Sequence, residues 1–266
     1  MKYLLSHLRY SKTRPILDGF ENTRRRLKTQ FQTPTKPACF LYGPPGVGKS
    51  TMIEEIAFQG HRYIIQFFQD FFELASPMVE FKDCWDFASM PAYGAILYFD
   101  EAVTVLNPSD LTSKSLQTSF LQLLQDGSSG PARVFLASNE LYMDSQVLSR
   151  LEPIWVDKPG LEDRTAIFLG KIQRDATGKF DIRAGKTDQA LAIDLAHKTE
   201  DYVVREINTL WTNLRAGAVS GEDIPAPKYF SEWAAQRYGE FTNHPELSTM
   251  YPDLWAQISS YHDHAP

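Results

Sequence analysis

The chain has 266 residues, 43% hydrophobic and 23% charged, with a net charge of −6, which is enough apolar material for one large domain or one domain with a smaller companion. No apolar run approaches the roughly 18–20 residues that cross a bilayer, and the opening Met1-Lys2-Tyr3-Leu4-Leu5-Ser6-His7-Leu8-Arg9 is too short and interrupted for a signal peptide; membrane-spanning and secreted classes are set aside and a cytoplasmic location is expected. Cys39 and Cys84 are the only cysteines, too few for a disulfide framework or a zinc site, and are expected to be free thiols.

Residues 1–36 form a basic segment that runs into an opening helix. They carry nine Lys/Arg against two Asp/Glu, a net +7 that leaves −13 for the remainder. The cluster Arg24-Arg25-Arg26 with Lys28 reads as a solvated helix face, as a surface docking on an acidic neighbouring subunit, or as a nucleic-acid contact. An Arg-rich, acid-poor start also fits a transit peptide, but it continues without a break into the domain.

Ala38-Cys39-Phe40-Leu41-Tyr42 is an apolar run that predicts a buried strand. It leads into Gly43-Pro44-Pro45-Gly46-Val47-Gly48-Lys49-Ser50-Thr51, a full match to G-x-x-x-x-G-K-[ST]. Glycines there permit a tight loop whose N–H groups converge on phosphate oxygens. Lys49 then neutralises the β and γ phosphates, the Ser50 hydroxyl holds Mg²⁺, and helical spacing from Thr51 places the phosphates at a helix N-terminus.

Further strands are predicted at Tyr63–Phe67, Ala95–Phe99 and Arg133–Ser138, with helical or loop sequence after each. Continuous apolar strands imply burial on both faces, so the fold class is α/β: a P-loop NTPase parallel sheet with helices on both faces, followed by a small all-helical lid. The third strand ends in Asp100-Glu101, placing two carboxylates at the C-terminal edge where doubly wound folds bind ligands. Asp100 suits Mg²⁺ held through water beside Ser50, and Glu101 suits the general base that polarises the attacking water. Asn139, at the end of the fourth strand, is placed to reach the γ phosphate or that water, or to cap the next turn. After Lys158-Pro159-Gly160 the chain turns helical, with stretches at Leu161–Gln173, Thr187–His197, Tyr202–Ala218 and Ser231–Tyr238. The aromatic pairs Phe67-Phe68 and Phe71-Phe72 read as core. From Phe241 on, no element is assigned, and the histidines there read as surface residues.

These motifs together resemble the AAA+ ATPases, closest to the core AAA branch, over nearly the whole chain. The resemblance makes the phosphate loop Walker A, Asp100 and Glu101 Walker B, and Asn139 the sensor 1 residue. It places an arginine finger at Arg150 within Leu148-Ser149-Arg150-Leu151, where a guanidinium from a neighbouring subunit steadies the charge developing on the transferred phosphoryl group. Asp157 to Arg164 resembles the opening of the family's lid, Leu195 to Tyr202 its Leu-Ala-x-x-Thr-x-Gly-aromatic segment with Asp201 in the glycine position, and Ile224 to Ala234 its closing helix. Arg205 is a candidate sensor 2 arginine, and Ile16-Leu17-Asp18-Gly19 resembles the stretch over the adenine. Met78 stands where translocating members carry a pore aromatic, with Phe81 nearby as another apolar grip, and Leu106 to Lys114 corresponds to a second pore loop. Glu152 and Pro153 replace the second arginine of protein-remodelling members.

The resemblance implies four segments: the basic segment and opening helix over 1–36, a large α/β nucleotide-binding subdomain over 37–158, a helical lid over 159–240 and a tail over 241–266. With only 36 residues ahead of the first strand, no recruitment domain is expected. ATP and Mg²⁺ are the expected cofactors, and the expected activity is ATP hydrolysis in a homo-oligomeric ring or spiral, hexameric in number, that remodels an unidentified protein client without membrane contact. Two other readings stay open. Superfamily 3 helicases and initiators combine a similar Gly-Pro-Pro-Gly loop with a Ser-Asn strand end, which suits a nucleic-acid motor whose pore cations would be Lys82 and Lys114. A nucleotide-gated assembly scaffold, for which turnover is not the output, is the third.

Overall fold

The computed structural model describes residues 2–68, 71, 76–90, 94–103, 117–118, 120–122, 124–125, 132–143, 145–175 and 186–264. By internal packing the chain divides into two compact units, the first made of residues 1–16, 22–42 and 49–155, the second of residues 17–21, 43–48 and 156–266.

The first unit is built on one six-stranded sheet: β1 (Leu8–Arg9), β2 (Ala38–Tyr42), β3 (Tyr63–Phe67), β4 (Ala95–Phe99), β5 (Arg133–Ser138) and β6 (Leu151–Trp155). Their order across the sheet is β1-β3-β4-β5-β2-β6. The four strands expected from the sequence sit side by side and parallel, with Tyr63 opposite Ala95, Leu97 opposite Val134 and Cys39 opposite Phe135. All five residues of β2 and of β4 are buried, as their unbroken apolar runs require.

Two edge strands were not legible in the sequence. β6 pairs parallel with β2, Ala38 facing Leu151 and Tyr42 facing Trp155. It is half exposed and contains Pro153, which cannot donate to a ladder and is tolerated because β6 has a neighbour on one side only. β1 is two residues long and pairs antiparallel with β3, so the sheet is mixed rather than wholly parallel.

The helices of this unit are α1 (Lys2–His7), α2 (Glu21–Gln32), α3 (Lys49–Gln59), α4 (Pro77–Ala88) and α5 (Ser145–Leu148), with further helical residues at 102–103, 117–118, 120–122 and 124–125. Phe67, Phe71, Phe81, Phe99 and Phe120 make one buried cluster, with Phe67 stacked on Phe99 at 4.5 Å. Phe67 and Phe71 are therefore core as expected. Phe68 is 41% exposed because alternation along the extended chain turns it outward, and Phe72 lies outside the described residues.

The second unit is helical: α6 (Leu161–Arg174), α7 (Asp188–Lys198), α8 (Val204–Arg215), α9 (Tyr229–Asn243), α10 (Glu246–Met250) and α11 (Pro252–His264). Phe168 and Ile172, Leu191 and Leu195, and Ile207 and Leu210 are buried pairs at the 3- or 4-residue spacing of helix faces. Glu206 links two helix starts, accepting from Val203 N at 2.9 Å and from Lys228 N at 2.7 Å. The closing helix starts at Tyr229, five residues later than Ile224, because Pro225 and Pro227 interrupt the approach. Asp201 has φ +65, the left-handed geometry for which glycine is usual, and Asp is among the residues that tolerate it. Its carboxylate receives Lys158 Nζ at 2.5 Å.

The segment beyond Phe241, left unassigned from sequence, is helical. Trp255 of α11 packs 5.1 Å from Phe241, Tyr261 meets Phe230 edge-on at 5.1 Å, and His262 stacks on Tyr238 at 3.8 Å.

Candidate nucleotide site

The C-terminal ends of β2, β4 and β5 carry the polar groups of the first unit. Lys49 opens α3 directly after the glycine loop and is only 8% exposed. Its Nζ donates to Asn139 Oδ1 at 2.7 Å. Since an ammonium can only donate, this fixes the Asn139 amide, and Nδ2 faces Glu101 Oε1 at 2.9 Å. Three of the expected site residues thus form one chain of hydrogen bonds from cation through amide to carboxylate.

Glu101 adopts φ +51, an uncommon conformation for a non-glycine residue. Its side chain reaches the surface of this unit, yet surrounding protein atoms still raise its carboxyl above the usual range. The neighbouring Asp100 charge adds to the rise, and Lys49 and the Asn139 hydrogen bond oppose it.

A second network lies beside the first. Ser50 Oγ and Tyr98 Oη are 2.9 Å apart, Tyr98 Oη donates to Asp100 Oδ1 at 2.9 Å, and Gln66 Nε2 donates to Asp100 Oδ2 at 3.2 Å. Burial, and then the Asp100 charge, push the Tyr98 hydroxyl well above its ordinary value, so it stays protonated. Neither Tyr98 nor Gln66 was singled out from the sequence. The signal was present in each case: Tyr98 lies near the end of β4, two residues before Asp100, and Gln66 is the one amide in the apolar run Tyr63–Phe67.

Arg150 lies in the turn between α5 and β6. It is half-buried, and its Nη1 donates to Gln146 O at 2.7 Å. Among the described residues no carboxylate pairs with it. The Arg24-Arg25-Arg26 cluster is divided: Arg24 binds the buried Glu55 at 2.5 and 2.9 Å, Arg26 donates to Pro153 O at 3.2 Å, and Arg25 bonds the exposed Asn22.

The second unit contains the glycine loop itself. Gly46 and Gly48 have φ +82 and +100, which favour glycine strongly. A Cβ on Gly46 would come within 2.8 Å of Arg205 Cβ, and Arg205 N donates to Gly46 O at 3.0 Å. Arg205 therefore stands against the loop, with its guanidinium 5.5 Å from the Tyr229 ring centre. Pro44 and Val47 are buried while Pro45 and Gly48 are half-exposed; in the first unit, Ser50 and Thr51 are half-exposed. Asp18 is bound by Arg174 at 2.5 and 3.2 Å, and Phe20 N donates to Asp163 Oδ1 at 2.6 Å, which orders the stretch from Leu17.

Met78 lies in the first turn of α4, and Phe81 is 3% exposed within the aromatic cluster, so Phe81 is core and not a surface grip. Lys82 pairs with Asp86 at 3.1 Å, whereas Lys114 and the loop from Leu106 lie outside the described residues. No group of three or more His, Cys, Asp or Glu among the described residues is placed to hold a metal ion by itself. No helix among them is long and apolar enough to cross a membrane.

A glycine loop leading into a helix, with an Asp-Glu pair closing a parallel strand of the same sheet, defines a P-loop nucleoside triphosphatase. Residues 39–156 match the AAA family, the ATPases associated with various cellular activities. The chain thus carries an AAA ATPase domain, a nucleotide-binding, ATP-hydrolysing unit. Its fold is that of the FIGL-1 AAA domain solved in complex with ADP, at 17% identity and a TM-score of 0.61 over 91% of this chain and 96% of that one. A chain in the Escherichia coli MS115-1 HORMA:CdnC:Trip13 complex is similar at 16% identity and a TM-score of 0.60, over 80% of this chain and 90% of that one. A search of curated proteins finds no significant match.

Proposed function

We propose that this chain is a Mg²⁺-dependent AAA+ ATPase that assembles into a ring or spiral, six subunits in number, and uses ATP hydrolysis to remodel a protein partner. The observation that carries the hydrolytic part is the chain Lys49–Asn139–Glu101. Asn139 holds Oε1 of Glu101 and leaves Oε2 to accept the proton of an attacking water, while Lys49 provides positive charge beside the transferred phosphoryl group. Ser50 and Asp100 supply a hydroxyl and a carboxylate, linked through Tyr98 at 2.9 Å on each side. Such an all-oxygen set suits Mg²⁺, which takes few protein ligands and completes its shell with water and phosphate oxygens. When bound, the cation would neutralise phosphate charge.

Assembly is supported by Arg150, a half-buried arginine with no carboxylate partner among the described residues, whose guanidinium would serve the active site of a neighbouring copy. Arg205 would sense nucleotide from its position against Gly46. A protein partner is favoured over nucleic acid because Arg24 is committed to Glu55 and Lys82 to Asp86, while residues 37–266 carry −13. The fold neighbour found with HORMA and CdnC is in line with that choice. Two buried, free thiols suit a reducing compartment such as the cytoplasm.

Glu101→Gln keeps the shape and removes the base. Turnover should fall at least about 100-fold, within the usual contribution of a general base, while ATP affinity stays within a few-fold. Steady-state hydrolysis and nucleotide titration of the purified variant read this, and unchanged turnover would remove Glu101 from the role.

A further inference from the structure

Tyr98 is 2% exposed, and its hydroxyl makes two 2.9 Å contacts. The phenol carries one proton, and the Asp100 carboxylate only accepts, so that proton goes to Asp100 Oδ1. Ser50 must then donate its own proton to Tyr98 Oη. A free serine hydroxyl rotates among several orientations, but here one is selected, and the Ser50 lone pairs turn away from Tyr98. Gln66 Nε2 meanwhile holds the other Asp100 oxygen at 3.2 Å, so both oxygens of that carboxylate are oriented by donors from β3 and β4.

We propose that Tyr98 is a positioning residue for the divalent cation that accompanies the nucleotide: the proton order Ser50 to Tyr98 to Asp100 presents the serine oxygen as an acceptor-only ligand and fixes Asp100 behind it. The inference rests on Ser50 and Asp100 being the metal end of the nucleotide site. It names a residue that neither the phosphate loop nor the acidic pair contains. Phenylalanine at this position would fill the same space but leave the Ser50 proton without its acceptor, free to turn toward the cation.

The test is the affinity of the full chain for mant-ADP, measured with EDTA and again with excess Mg²⁺. In the wild type, Mg²⁺ should tighten binding. Tyr98→Phe should keep the EDTA affinity within about twofold and lose about tenfold of the Mg²⁺ enhancement, the scale of one hydrogen bond involving a charged group. Full enhancement in Tyr98→Phe, or an equal loss with and without Mg²⁺, overturns the proposal, the second outcome because it marks Tyr98 as support for the loop alone. If the wild type itself shows no enhancement, the assignment of Ser50 and Asp100 fails instead, and the proposal with it. Should the single variant fold poorly, Ser50→Ala/Tyr98→Phe removes both hydroxyls together and leaves neither orphaned. Beside Ser50→Ala alone it should lose well under tenfold more, since only the hold on Asp100 is left to remove, and a further tenfold loss would show that Tyr98 does not act through Ser50.

Discussion

Glu101 combines a left-handed backbone, a carboxyl held above its usual range and an amide clamp on one oxygen. Positive φ at such a residue costs on the order of 1–3 kcal/mol and persists only where the surroundings enforce it, as the end of β4 and Asn139 do here. A base works when deprotonated, so turnover is present above the folded-state pKa and lost as pH falls through it, at higher pH than an ordinary glutamate would give. Asn139→Ala removes an influence that lowers this pKa, and the acid limb of the kcat–pH profile should move to still higher pH. A limb that stays in place or moves down would show that Asn139 does not act on Glu101. The residues of this network were legible in the sequence because phosphate chemistry fixes their spacing. Tyr98 and Gln66 were not, since a tyrosine and a glutamine within apolar strands look like β-propensity until the partner strands place their polar atoms beside Asp100.

Among the elements, α2 shows why a charge cluster is a poor guide to partners. Arg24 reaches across to Glu55 of α3, which is 2% exposed and also receives Arg14 at 2.9 Å and Gln59 at 3.2 Å. The basic segment is therefore partly internal bracing. Arg24→Ala would leave a buried carboxylate with its remaining partners, Arg14 being largely exposed, and should destabilise the chain by roughly 2 kcal/mol, below the usual 3–5 for a broken buried pair because those partners remain. Urea unfolding measures it, and a shift under about 0.5 kcal/mol, the range of a neutral surface change, would contradict the bracing role. The four central strands could be read from their apolar runs. β6 could not: Leu151-Glu152-Pro153-Ile154-Trp155 has the mixed burial of an edge, and only its pairing with β2 makes it a strand. That strand fixes the residue before it, Arg150, at the rim of the sheet. The helices of α11 and α10 were hidden for a related reason, since their apolar positions, Leu247, Leu254 and Ile258, are widely spaced and acquire meaning through packing on α9.

At the scale of the whole molecule, the proposed function divides the active site between copies: Lys49, Ser50, Asp100, Glu101 and Asn139 lie in one network region, and Arg150 lies in a turn where, among the described residues, no carboxylate pairs with it. If the guanidinium acts on a neighbouring copy, two inactive variants must complement each other. Glu101→Gln keeps the finger and Arg150→Ala keeps the base, so a site formed from one of each is complete. The ATPase rates of these two purified variants, alone and mixed, decide whether the site is shared. Each alone should be nearly inactive, and the equimolar mixture should recover up to about a quarter of wild-type turnover, as random assembly places an intact base beside an intact finger at one interface in four. A mixture as inactive as its components would contradict a shared site between subunits.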